Sequence, residues 1–116
     1  MTYRLVSSTL LACSAVLFIS SQSVAAGVDA AAAQALAKKN NCFKCHALDK
    51  TKKGPSYKKI AAKYKGKPEG ESKLITNFTT GPKVKMEDGT EEDHKIIDTK
   101  DEKQLKNLAQ WILQME

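Results

Sequence analysis

Beyond residue 26 the apolar positions fall in short clusters at helical spacing, separated by polar stretches that carry Gly and Pro. Asp29 precedes an alanine-rich run over 30–37 that ends at Lys38-Lys39-Asn40-Asn41. Alanine's helix propensity, an aspartate N-cap and lysines at the C-terminal end of the macrodipole predict a helix there. Over 56–65, Tyr57, Ile60, Ala61 and Tyr64 recur at i, i+3, i+4 and i+7, which is one apolar helical face. Gly66-Lys67-Pro68 stops it. A shorter helix is predicted over 71–79, with Leu74, Ile75 and Phe78 grouped and Gly81-Pro82 closing it. Asp88-Gly89 is a turn signal inside an acidic loop that runs to about Thr99. The last helix starts near Asp101 and carries Leu105, Leu108, Trp111, Ile112 and Met115 on one side. Period-two alternation is sustained nowhere, so the expected class is small all-α, without strands.

Residues 1–26 have a different character. Arg4 supplies a positive start, an apolar stretch follows from Leu10 to Ile19, and Val24-Ala25-Ala26 suits cleavage after Ala26. The apolar run is far shorter than the roughly 20 residues that span a bilayer. The expected organisation is therefore a cleaved secretory signal over 1–26 and one domain over 27–116, with no stable membrane insertion. A lipoprotein reading would cut before Cys13, ahead of the end of the apolar run, and is set aside.

Composition sharpens the picture of the domain. Cleavage leaves five of the seven aromatic residues, namely Phe43, Tyr57, Tyr64, Phe78 and Trp111. That is a thin core for a chain that must fold unaided, and it suggests that something other than side chains completes it. Residues 38–85 hold 14 lysines against three acidic residues, whereas residues 86–116 hold four lysines against nine. This split is either an ordinary solvated surface or a dipolar molecule that offers a basic face to an acidic partner. Arg is absent from 27–116, and an exported protein seldom meets nucleic acid, so a nucleic-acid partner is not expected.

The chemistry lies in Cys42-Phe43-Lys44-Cys45-His46, a C-x-x-C-H sequence of the kind that attaches haem c. Two thiols three positions apart can add to the two vinyl groups of one haem, and the next residue directs its imidazole at the iron. A redox dithiol would need a βαβ setting, which the pattern lacks. A zinc site would need about four ligands, and Cys42, Cys45, His46 and His94 are the candidates. A disulfide across two intervening residues would close too short a loop to staple a domain. Covalent haem, one per chain, would also supply the large flat apolar body that the aromatic content leaves out.

The order of signal segment, short helix, Cys42-Phe43-Lys44-Cys45-His46-Ala47, Lys53-Gly54-Pro55 and closing helix resembles the small bacterial class I cytochromes c of the c551/c8 type. The resemblance covers nearly all of 27–116 and is strongest over 41–66 and over "QLKNLAQWIL". It implies a class I cytochrome c fold, three to five short helices around one covalently bound haem c, with the first and last helices crossing beside it. It implies thioethers from Cys42 and Cys45, His46 as proximal iron ligand, and the Pro55 carbonyl holding the other imidazole nitrogen.

The second axial position departs from the family pattern, which supplies a methionine from the loop before the last helix. Met86 lies near Gly81-Pro82, as the family's methionine does, but acidic residues follow it and Thr80 stands where an aromatic is usual. His94 precedes Trp111 by 17 positions, close to the family's ligand-to-aromatic spacing, whereas Met86 precedes it by 25 and requires an insertion. His94 is the favoured distal ligand and Met86 the alternative. No histidine remains for acid–base work once His46 and His94 are ligands, so an enzyme is not expected. The resemblance implies a one-electron carrier between redox proteins; the export signal implies the periplasm, and the lysines of 38–85 imply a partner with an acidic docking face. A haem-based sensor with a displaceable sixth ligand, or a subunit of a larger redox enzyme, is the alternative. A monomer is assumed.

Overall fold

Four helices form where the periodicity predicts them, in a computed structural model that describes residues 27–116; the secretory segment read over 1–26 lies outside the described residues. Helix α1 spans Ala30–Lys39, α2 Tyr57–Tyr64, α3 Gly70–Thr80 and α4 Glu102–Leu113. Three of them begin at a side-chain cap that satisfies backbone donors left over in the first turn. The Asp29 carboxylate accepts from the Ala32 N–H at 2.9 Å, the Ser56 hydroxyl from Lys59 at 3.1 Å, and the Asp101 carboxylate from Lys103 at 2.9 Å. α3 lacks such a cap and instead ends on Gly81, whose φ of +62° closes the helix in the left-handed region.

α4 is the element on which the others assemble, packing against α1, α2 and α3. Its buried face is Leu105, Leu108, Ala109, Trp111 and Ile112. Met115, expected on the same face, lies beyond the end of α4 and is only partly buried. Ala33 and Ala37 of α1 are buried in the same cluster as Ala109, and three methyl side chains let two helices approach closely. The amide of Asn107 fixes their relative position: it accepts from the Asp29 N–H and donates to the Asp29 carbonyl, both at 2.8 Å. Glu71 on α3 receives a similar tie from Gln110, at 3.0 Å.

One expectation needs correction. The segment read as a loop without strands contains an antiparallel hairpin, β1 Lys83–Lys85 with β2 Glu91–Asp93. Lys83 faces Asp93 and Lys85 faces Glu91, so opposite charges pair across the ladder. Met86 and Thr90 close it through an N–H to carbonyl bond of 2.7 Å, leaving a three-residue loop with Gly89 at φ +87°. Strands of three residues, all but Val84 charged, carry no alternation of apolar and polar positions, and only the Asp88-Gly89 turn signal survives in the sequence.

Candidate functional site

The C-x-x-C-H residues occupy a tight turn at the end of α1. Asn41 enters it in the left-handed region at φ +58°, a conformation asparagine tolerates better than most residues. Cys42–Lys44 then form one 3-10 turn, and the Cys42 carbonyl accepts from both Cys45 and His46, at 3.2 and 3.0 Å. Both cysteines are free and half-buried, so no disulfide joins them. The chain next doubles back. Gly54 donates to the Cys45 carbonyl and Tyr57 to the Ala47 carbonyl, each at 2.9 Å.

That reversal sets the Pro55 carbonyl 2.7 Å from His46 Nδ1, the contact the family resemblance implies for this pair. Nδ1 therefore carries the hydrogen and Nε2 keeps its lone pair. Gly54 makes the approach possible, because a Cβ there would stand 2.8 Å from His46 Cε1 and 3.1 Å from Nδ1. The Tyr57 ring stacks on the imidazole with centroids 5.5 Å apart and meets Trp111 edge-on at 5.3 Å and Phe43 at 5.9 Å. Periodicity identified Tyr57 only as a helix-face residue. Its place two residues after Pro55, whose carbonyl holds His46, is the signal that it lies against that ring.

These groups open onto a largely apolar cavity of about 870 Å³, a size typical of cofactor sites. Cys42, Cys45 and His46 line one part of its wall; His94 and Met86 line it from the chain beyond α3. The His94 ring lies 6.2 Å from the His46 ring, centroid to centroid, at an interplanar angle of 37°. Its Nδ1 is held by the Lys95 carbonyl at 2.9 Å, which again leaves Nε2 free. Met86 sits at the closing pair of the hairpin, eight residues earlier.

Burial sets the charge state of the site. It pushes the His46 imidazole below its ordinary pKa, against the raising effect of the Pro55 carbonyl and with a further lowering from His94. The neutral ring is the form that binds a metal. Burial likewise raises the Cys42 thiol, moderated by the Tyr57 hydroxyl, and drives the Tyr57 phenol far above its usual value.

The residues present fit a haem. The His46 and His94 rings stand 6.2 Å apart on the wall of one cavity, each with Nδ1 on a backbone carbonyl and Nε2 available to a metal. Two free thiols stand beside His46, and the walls are largely apolar. Among the described residues no three Cys, His, Asp or Glu side chains gather as a metal cluster, so the four-ligand zinc arrangement weighed from the sequence does not form.

Comparison with known proteins agrees. The sequence profile of the family described as cytochrome c matches residues 30–116. Cytochrome c-551 of Allochromatium vinosum is 37% identical over 46 residues, 40% of this chain and 49% of that protein. Cytochrome c-551 of Pseudomonas aeruginosa is 38% identical over 48 residues, 41% of this chain and 46% of that protein. The chain thus spans about half the length of the curated relatives it matches. Among solved structures, the class 1 cytochrome MtoD of Sideroxydans lithotrophicus ES-1 is 54% identical with a TM-score of 0.73, covering 77% of this chain and 98% of that one. Cytochrome c552 of Nitrosomonas europaea is 31% identical with a TM-score of 0.57, covering 72% and 99%.

Proposed function

Since the chain belongs to the cytochrome c family, as a small class I member that binds one haem c covalently, we propose that it is a periplasmic one-electron carrier with bis-histidine iron. In this reading Cys42 and Cys45 hold the haem through thioethers, His46 is the proximal ligand and His94 the distal one. The observation that carries it is the pair of imidazoles 6.2 Å apart, each with Nδ1 on a backbone carbonyl. Residues 1–26 act as the export signal and are removed. No helix among the described residues is long and apolar enough to cross a membrane.

The bound haem supplies the redox-active iron. The protein's part is to hold both ligands still, so that little moves between oxidation states. The Pro55 and Lys95 carbonyls fix the two rings, while Tyr57 blocks tilting of His46. A second imidazole in place of a thioether lowers the reduction potential, so the carrier works at a low potential for its family. Lys44, Lys59, Lys63 and Lys95 line the cavity and favour docking of an acidic redox partner.

Absorption and EPR spectra of the ferric protein test the ligand set. The expected result is low-spin iron without the weak red band of iron–methionine charge transfer. His94→Ala should then turn the iron high-spin, while Met86→Leu leaves it low-spin. The reverse pattern would give the role to Met86. Carbon monoxide binding rapidly to the unmodified ferrous protein at neutral pH would favour a sensor over a carrier.

A further inference from the structure

The segment that carries His94 is exposed and irregular, yet its backbone is tied down at three points. The His94 N–H donates to the Pro82 carbonyl and the Ile97 N–H to the Phe78 carbonyl, both at 2.8 Å, which zips the segment to the end of α3. The third tie comes from the end of α1. Asn40, the residue that ends α1 two positions before Cys42, is a polar side chain buried to 3% exposure. Both amide hydrogens and the amide oxygen have partners. Nδ2 donates to the Leu36 carbonyl and to the Asp98 carboxylate, each at 3.0 Å, and Oδ1 accepts from the Asp98 N–H at 3.0 Å. Lys39 closes the outer side with a 2.9 Å ion pair to the other carboxylate oxygen.

We propose that the Asn40–Asp98 clasp is a positioning device for the distal ligand, holding the His94 segment to the helix end that carries the haem attachment turn. The proposal rests on the reading of His94 as that ligand. Asn40 touches neither imidazole. It acts through the backbone at Asp98, four residues beyond His94 and next to the buried Ile97. Reciprocal bonds fix both distance and direction, as a single bond would not. Burial makes them costly to lose, because an opened clasp leaves amide and backbone groups without partners. The Lys39 pair is half-exposed at Asp98 and adds little. A loosened segment lets His94 leave the iron more often, and the open fraction sets how fast an exogenous ligand enters.

The test uses the haem-loaded protein, three single variants and the Asn40→Ala, Asp98→Ala double variant. Asn40→Ala removes all three side-chain bonds, and Asp98→Ala removes the carboxylate acceptor but keeps the backbone N–H. Asp29→Ala removes the cap at the far end of α1 and controls for general loss of stability. Carbon monoxide association with the ferrous protein should speed up about tenfold or more in Asn40→Ala, and about threefold in Asp98→Ala. Asp29→Ala should lower Tm but leave the rate within about twofold of the unmodified protein. Asp98→Ala should add little on top of Asn40→Ala, since the two share one interaction. Rates in both clasp variants no faster than in Asp29→Ala would overturn the proposal. If Asn40→Ala fails to fold, Asp98→Ala decides alone, because its side chain is half-exposed. An iron–methionine band in the unmodified ferric protein would overturn the ligand reading and the clasp's role with it. That outcome is seen before any variant is made, so the two failures are distinct.

Discussion

At the scale of residues, two glycines make room for the His46 ring and for the backbone that carries His94. A Cβ at Gly54 would strike the His46 ring, and one at Gly81 would stand 2.8 Å from the His94 carbonyl oxygen and 2.9 Å from Ile96. Gly54 faces a ring already fixed by Pro55 and Tyr57, so the ring has nowhere to yield. Gly54→Ala is expected to cost about 1–3 kcal/mol by overpacking and to produce a high-spin fraction in the ferric spectrum. Thermal unfolding followed by haem absorbance checks both. Cys42, Cys45 and His46 were legible as candidates in the sequence because attachment chemistry forces a fixed spacing. The distal residue was not legible in the same way. A single His or Met in an acidic loop has no neighbour pattern of its own, and spacing to Trp111 was the only guide. Asn40 was invisible, since a lone asparagine at a helix end reads first as a terminator.

At the scale of elements, helix starts were readable because caps are local. Asp29, Ser56 and Asp101 each bond backbone within their own first turn. Asp101→Ala removes two such bonds from α4, the helix on which the other three pack. Its expected cost is about 1 kcal/mol, or roughly 4–8 °C in Tm, with an unchanged ferric spectrum. A changed spectrum would mean that α4's first turn bears on the iron directly. The hairpin escaped the sequence reading for the opposite reason. Its strands are held by partners six to ten residues away, and all of them but Val84 are charged rather than apolar. Nothing within either strand alone distinguishes it from a solvated loop.

At the scale of the whole molecule, the lysine-rich and acid-rich halves of the chain are not simply two poles. The hairpin folds acidic β2 against Lys83 and Lys85, so part of the basic half is neutralised by the first acidic stretch, with Lys83 3.0 Å from Asp93. The lysines left to steer a partner include Lys44, Lys59 and Lys63 beside the cavity. Electron transfer to an acidic partner should slow as ionic strength rises, and Lys59→Glu with Lys63→Glu should flatten that dependence. Stopped-flow rates across a salt series measure it, and a flat series for the unmodified protein would remove the steering proposal. The hairpin has a further consequence. Pro82 and His94, its two flanks, are bonded directly to each other. Everything between them is a detour whose two ends already meet, so its length is decoupled from the geometry of the iron site. Such a junction lets related chains gain or lose residues over many generations while His94, the proposed distal ligand, stays where it is. Alignments would then drift through this region even as the redox centre is inherited intact.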